Sequence, residues 1–203
     1  MHRTHRQSAV VAGALSLVGL LSWPATGLAQ TTVTGQAAAA QVVVLGLLGT
    51  ATTSTLAGTG ISGTNAESDV GQDAGSIASL LSAEAIDTAT YSYLDQVDSE
   101  ASLGNLALTV AGVSLTADSV VAAASQVYGG AGSGSSYITN LAVNGVPVAV
   151  SGAANQAIAI PGGQLVINEQ SISPTGSTVV NAIHLVINGV ADVVVASAAA
   201  AIS

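Results

Sequence analysis

The chain has 203 residues, 49% hydrophobic and 6% charged, with 2 Lys+Arg against 11 Asp+Glu, no Cys, no Phe and a formal net charge of −9. Both basic residues, Arg3 and Arg6, sit at the N-terminus. The rest of the chain has no lysine or arginine to displace counterions from a nucleic-acid backbone, clamp a phosphate or form a Schiff base, so those functions are excluded. The missing cysteines exclude disulfides, thiolate catalysis and Cys-based zinc sites.

The basic stretch His2–Arg6 leads into the apolar run Ala9–Trp23, which Pro24 ends and the small residues ATGLA follow. This order is that of a secretory signal peptide, and cleavage is expected after Ala29. The run is about fifteen residues, short of the ~20 that span a bilayer. Residues 1–29 are thus a predicted signal peptide and 30–203 a single predicted domain. Cleavage removes both arginines and takes the formal charge from −9 to −11. No later stretch reads as a transmembrane helix, and four tyrosines are too few for the two aromatic girdles of a membrane barrel.

In the mature region Ala, Val, Leu, Ile and Thr alternate with a period nearer two than 3.6, which predicts strands. Strands are expected at 34–48, 79–92, 99–110, 113–127, 137–144, 146–151, 156–160, 164–172, 178–188 and 190–202. Residues 49–78, rich in Gly, Ser, Thr and Asp, read as long loops around at most one short strand. GGAGSGSS at 129–136 reads as a flexible connector. Three related hairpins punctuate the pattern: LTVAGVSL at 108–115, LAVNGVPV at 141–148 and LVINGVAD at 185–192. Asn144-Gly145 and Asn188-Gly189 fit two-residue type I′ turns. The alanine-rich segments Ser119–Val127 and Val193–Ile202 have helix propensity but begin with β-branched residues after hairpin turns, and strands are preferred there. The fold expected is all-β, an antiparallel β-sandwich or jelly-roll-like domain with a thin core, with a parallel β-helix as the alternative.

Five elements of the C-terminal half are distinctive: the Asn144-Gly145 hairpin, Asn155-Gln156, Asn168-Glu169-Gln170, Asn181-Ala182-Ile183-His184 and GVADVV at 189–194. Together with looser agreement over most of 33–203, they resemble the choice-of-anchor P family. The resemblance implies an exported bacterial cell-surface or secreted protein on a domain whose members carry differing C-terminal sorting signals. No such tail follows here, which favours free release or non-covalent assembly.

Two acidic clusters stand out. Glu67, Asp69 and Asp73 lie in NAESDVGQD, and Asp95, Asp98 and Glu100 in DQVDSE. Hard oxygen ligands on a loop suit calcium, the one metal expected if any is bound, although the glycine spacing is not that of an EF-hand. Solvated loop charge is the plainer alternative. Among polar residues on predicted strands, Asn168 and Gln170 should face one way and Glu169 the other, as a strand end, a buried amide network or an acidic site. His184, the only histidine after the leader, should share a face with Val180, Ala182 and Val186, packed or bonded to backbone. A Ser-His-Asp triad lacks its G-x-S-x-G elbow, and zinc would need further ligands from carboxylates alone. The tyrosines Tyr91, Tyr93 and Tyr137 are expected to pack in the core.

No catalytic residue is assigned. The function expected is a non-enzymatic structural or adhesive β-domain, extracellular or at the cell surface. It would associate with itself or with other surface or biofilm-matrix components, a fibre following if Val33–Leu48 were donated to a neighbouring copy. The alternative is a calcium-assisted module binding carbohydrate or another surface ligand. A secreted hydrolase using His184 or Glu169 ranks third.

Overall fold

A computed structural model describes residues 31–45, 51–174 and 176–203. The predicted signal peptide lies outside the described residues, and the core is contained in the unit Thr31–Ser203. Among the described residues thirteen strands follow one another, and none is helical. They are β1 (Val33–Leu45), β2 (Ala51–Gly58), β3 (Ala66–Ile77), β4 (Leu81–Ser92), β5 (Gln96–Val110), β6 (Val113–Val127), β7 (Ser133–Thr139), β8 (Ala142–Val143), β9 (Val146–Pro147), β10 (Gln156–Ile160), β11 (Gly163–Ser173), β12 (Ser177–Ile187) and β13 (Ala191–Ile202).

The strands form two antiparallel sheets packed face to face as a sandwich. Sheet A has the order β10-β11-β12-β13-β1-β2. Sheet B runs β3-β4-β5-β6-β8-β9, with β7 also on β6. Every paired strand is antiparallel, so the β-helix alternative is excluded. The alanine-rich segments are strands: β13 is paired on one edge by β12 and on the other by β1, so ladder bonds on both sides outweigh alanine's helix preference. Small inward side chains let the sheets approach closely. Ser99 Oγ donates to the Ala199 carbonyl across the sandwich at 2.8 Å, and a Cβ on Gly35 would press on Thr90 and Val97. Leu165, Ile167, Ile183, Leu185, Leu103 and Leu115 fill the wider part of the core. Among the described residues no helix is long and apolar enough to cross a membrane.

Several expectations need correction. The predicted loop 49–78 contains β2 and β3, whose Thr/Ser and acidic side chains point to solvent at alternate positions, as suits edge strands. The predicted connector 129–136 enters β7, because Gly134 lets the strand lie against Val180 of β12, where any Cβ would overlap Cγ2. Of the expected strand 146–151 only Val146–Pro147 is strand, with one further backbone bond from Val148 to the Leu141 carbonyl before the chain leaves β8. Asn144 (φ 50°) and Gly145 (φ 75°) make the expected two-residue turn between Val143 and Val146. At Asn188-Gly189 only Gly189 has positive φ, and pairing resumes at Ile187↔Ala191, so the connection has three residues rather than two. Of the segment Val33–Leu48, residues 46–48 lie outside the described residues, and β1 is paired within its own chain by β13 and, over Ala38–Leu45, by β2, so donation to a neighbour would require it to leave its own sheet.

Alternation slips once across sheet A. Asn168, Ala182, Ala196, Ala39 and Ala57 are left out of otherwise regular pairings. Three of them, Asn168 (φ 52°), Ala196 (φ 50°) and Ala57 (φ 41°), are left-handed. Two successive side chains therefore point inward, as at Ala182 and Ile183.

Candidate functional site

The outward face of sheet B is a grid set by strand register. One row runs Glu67, Tyr91, Asp98, Ser125, Ser133. The next runs Asp69, Ala89, Glu100, Ala123, Ser135, and a third Gly71, Asp87, Ser102, Val121, Tyr137. Directly opposed residues share a face of an antiparallel sheet, so all of these side chains point the same way. Most of them line a shallow cleft of about 630 Å³, floored by Ala89 and Ala123, with carboxylates on one side and the serines of β6 and β7 on the other; Glu67 and Tyr137 stand on the same face outside it.

Of the six acidic residues singled out in the sequence, Glu67, Asp69, Asp98 and Glu100 meet on this face, although about thirty positions separate the two clusters in the chain. They stand on strands, not on the expected loops. Asp95 sits apart in the β4–β5 turn, and Asp73 lies farther along β3, outside the cleft. Asp87 was missed; its alternation with Ala89 and Tyr91 on a predicted strand would have revealed it. Asp69 and Glu100 flank β4, so their backbones stand about 9.6 Å apart, two strand spacings. Among the described residues no three His, Asp or Glu side chains converge as metal ligands.

With no lysine or arginine in reach, amide side chains supply donors to some carboxylates of this sheet. Gln96 donates to Asp98 at 2.7 Å, Asn105 to Glu84 at 2.7 Å and Asn140 to Asp118 at 2.6 Å. Glu67, Asp69, Asp87 and Glu100 accept no hydrogen bond from another described residue. Their field is felt at Tyr91, whose phenol is held above its ordinary 10.0 by partial desolvation and then by Glu67, Asp69 and Asp87. The tyrosines are not core residues: Tyr91, Tyr93, Tyr128 and Tyr137 are all exposed. The core is too thin for them, and Tyr91 and Tyr137 fall in the outward phase of their strands.

The other polar constellation lies on the outward face of sheet A. His184 Nδ1 meets Glu169 Oε2 at 2.9 Å and its Nε2 meets Asp192 Oδ1 at 3.0 Å. Asn181 donates to the same Glu169 oxygen at 2.7 Å and accepts from Ser197 Oγ at 2.7 Å. A row of hydrogen bonds thus ties β11, β12 and β13 together. The slip at Ala182 places His184 beside Val186 and Asn181 rather than beside Val180 and Ala182, which point inward, and its partners are carboxylates rather than backbone. Burial by itself would lower the histidine pKa, but hydrogen bonds and charge from Glu169 and Asp192 raise it above 6.5. Burial works against ionisation of Glu169 too, yet Asn181 and His184 hold its pKa below 4.5.

Asn168 and Gln170 point away from Glu169 and build a network that fixes the 148–155 loop. Asn168, 3% exposed, donates to the Gly152 carbonyl and accepts from Gln170 Nε2, which also reaches the Gly134 carbonyl. Asn155 closes a reciprocal pair with the Gln170 backbone. The polar residues of Asn168-Glu169-Gln170, with Asn155, Asn181, His184 and Asp192 from the other motif elements, therefore make up these two networks.

Comparison with known proteins finds no match: no family model, curated protein or solved structure corresponds to the chain.

Proposed function

We propose that the chain is an exported, non-enzymatic adhesive domain, of the choice-of-anchor P kind, that binds a polyhydroxylated surface ligand on the outward face of sheet B. The observation that carries this reading is the register-built cleft, in which carboxylates, those of Asp69, Asp87 and Glu100 with no internal donor, face a row of serine hydroxyls across an alanine floor. Carboxylates and serines accept and donate to sugar hydroxyls, and Tyr91 at the cleft offers an apolar ring to a pyranose. The uncompensated negative charge speaks against anionic ligands and for neutral glycans, with calcium joining carboxylates to ligand hydroxyls as an accessory. Against hydrolysis by His184 stands the engagement of both ring nitrogens by carboxylates, which leaves neither free as a general base.

The test is a glycan array followed by titration calorimetry on the chain from Gln30, in calcium and in chelator. A neutral glycan should bind, and each of three variants should weaken it at least about tenfold: Glu100→Gln by loss of one charge-assisted hydrogen bond, Tyr91→Ala by loss of the ring face, and Ala123→Arg by filling the cleft floor. Absence of any neutral glycan ligand in both conditions, or binding indifferent to Ala123→Arg, refutes the assignment. A difference between the calcium and chelator arms decides the accessory role of the metal.

A further inference from the structure

We propose that the outward face of sheet A is a self-association surface, and that two copies pack back to back through it. Charge is divided unequally between the sheets. Of the 11 Asp and Glu, only Glu169 and Asp192 belong to sheet A, and both are drawn onto His184. All the others lie in sheet B or its turns, without a lysine or arginine to answer them, so a second copy of this acidic chain is repelled there. On sheet A, Val43, Val166, Val179, Val186 and Val194 point outward and are half-buried. Gln41, Thr53, Gln164 and Ser171 stand in register with them on the same face, and together they surround the His184 cluster as a nearly uncharged field of apolar and neutral polar side chains.

The size of that field fits a second copy. Six strands spaced about 4.8 Å apart, averaging about ten residues at about 3.3 Å each, present roughly 950 Å². A stable interface takes about 800 Å² from each partner. The face is also self-complementary. Ile61, 77% exposed, stands at the rim of a shallow hollow of about 180 Å³ floored by Ala199 and Ala201. A two-fold axis would bring each copy's Ile61 to the other's hollow, the reciprocal contact of an isologous dimer. This arrangement turns both sheet B clefts outward. It stands or falls independently of what those clefts bind.

The experiment is sedimentation velocity on the chain from Gln30 between about 1 and 200 µM, with circular dichroism as a folding control. A concentration-dependent dimer is expected. Val194→Glu and Ile61→Asp, both on the solvent side, should shift it to monomer by at least tenfold in Kd with the melting temperature kept. Ala123→Glu on sheet B should leave the dimer intact. The chain lacks cysteine, so single variants report contact cleanly: Val194→Cys should crosslink with a short bis-maleimide and Ser135→Cys should not. A monomer at every concentration, a dimer unaffected by both sheet A variants, or crosslinking through Ser135→Cys would overturn the proposal.

Discussion

Replacing His184 by alanine removes the one cation of the described domain and separates two carboxylates from their shared partner. The side chain of His184 is 20% exposed, that of Glu169 33% and that of Asp192 54%. The Asp192 contact is a surface pair worth about 0.5 kcal/mol. The Glu169 contact is a partly buried, charge-assisted hydrogen bond worth about 1.5 kcal/mol. Together they amount to about 2 kcal/mol near pH 6, or roughly 4–8 °C in Tm for a domain of this size. The pH dependence identifies the cause. His184 has a folded pKa raised above 6.5, so its contribution is complete below pH 6.5 and is lost as pH rises through the folded value. Glu169 has a folded pKa below 4.5, so its contribution is complete above pH 4.5 and is lost as pH falls through the folded value. The gap between wild type and His184→Ala should therefore be widest between about pH 4.5 and 6.5 and should narrow toward pH 9. Taking the difference between the two proteins cancels the mutual repulsion of the sheet B carboxylates, which also varies with pH. Calorimetric melts of both proteins from pH 4 to 9 measure it. A gap that is flat with pH, or widest at pH 9, refutes the reasoning.

Other substitutions test the packing that positions the two faces. Gly134→Ala puts a Cβ into Val180 Cγ2 and should cost about 1–3 kcal/mol by urea unfolding, with β7 the first strand to lose amide protection; an unchanged midpoint would mean that β7 is not held against β12. Asn168→Ala places alanine at φ 52° and leaves the Gly152 carbonyl and Gln170 amide short of partners. It should cost about 2–3 kcal/mol and open the 148–155 loop to limited proteolysis, whereas wild-type protease resistance in the variant would remove the amide network as the loop's support.

The sequence by itself determined the class of the fold and most of its strands. The two-residue period, β-branched content and glycine turns are local signals, and Asn144-Gly145 makes the two-residue turn that its dipeptide predicts, with Ser114 of β6 adding hydrogen bonds to Asn144. Composition alone likewise set the absence of disulfides and of lysine or arginine beyond Arg6. Tertiary structure decided whatever depends on which strands become neighbours. Ser/Thr/Asp-rich 51–58 and 66–77 have weak strand propensity and become strands because β1 and β4 offer them free edges. Glu67 and Asp69 meet Asp98 and Glu100 only because β4 lies between β3 and β5. The facing of His184 depends on a one-residue slip repeated across adjoining strands, and alanine, unlike glycine or proline, gives no local warning of it. The outward tyrosines follow from the same cause: how thick a core must be is settled by the opposing sheet, and here alanine and glycine on β1 and β13 draw the sheets too close to admit a phenol ring.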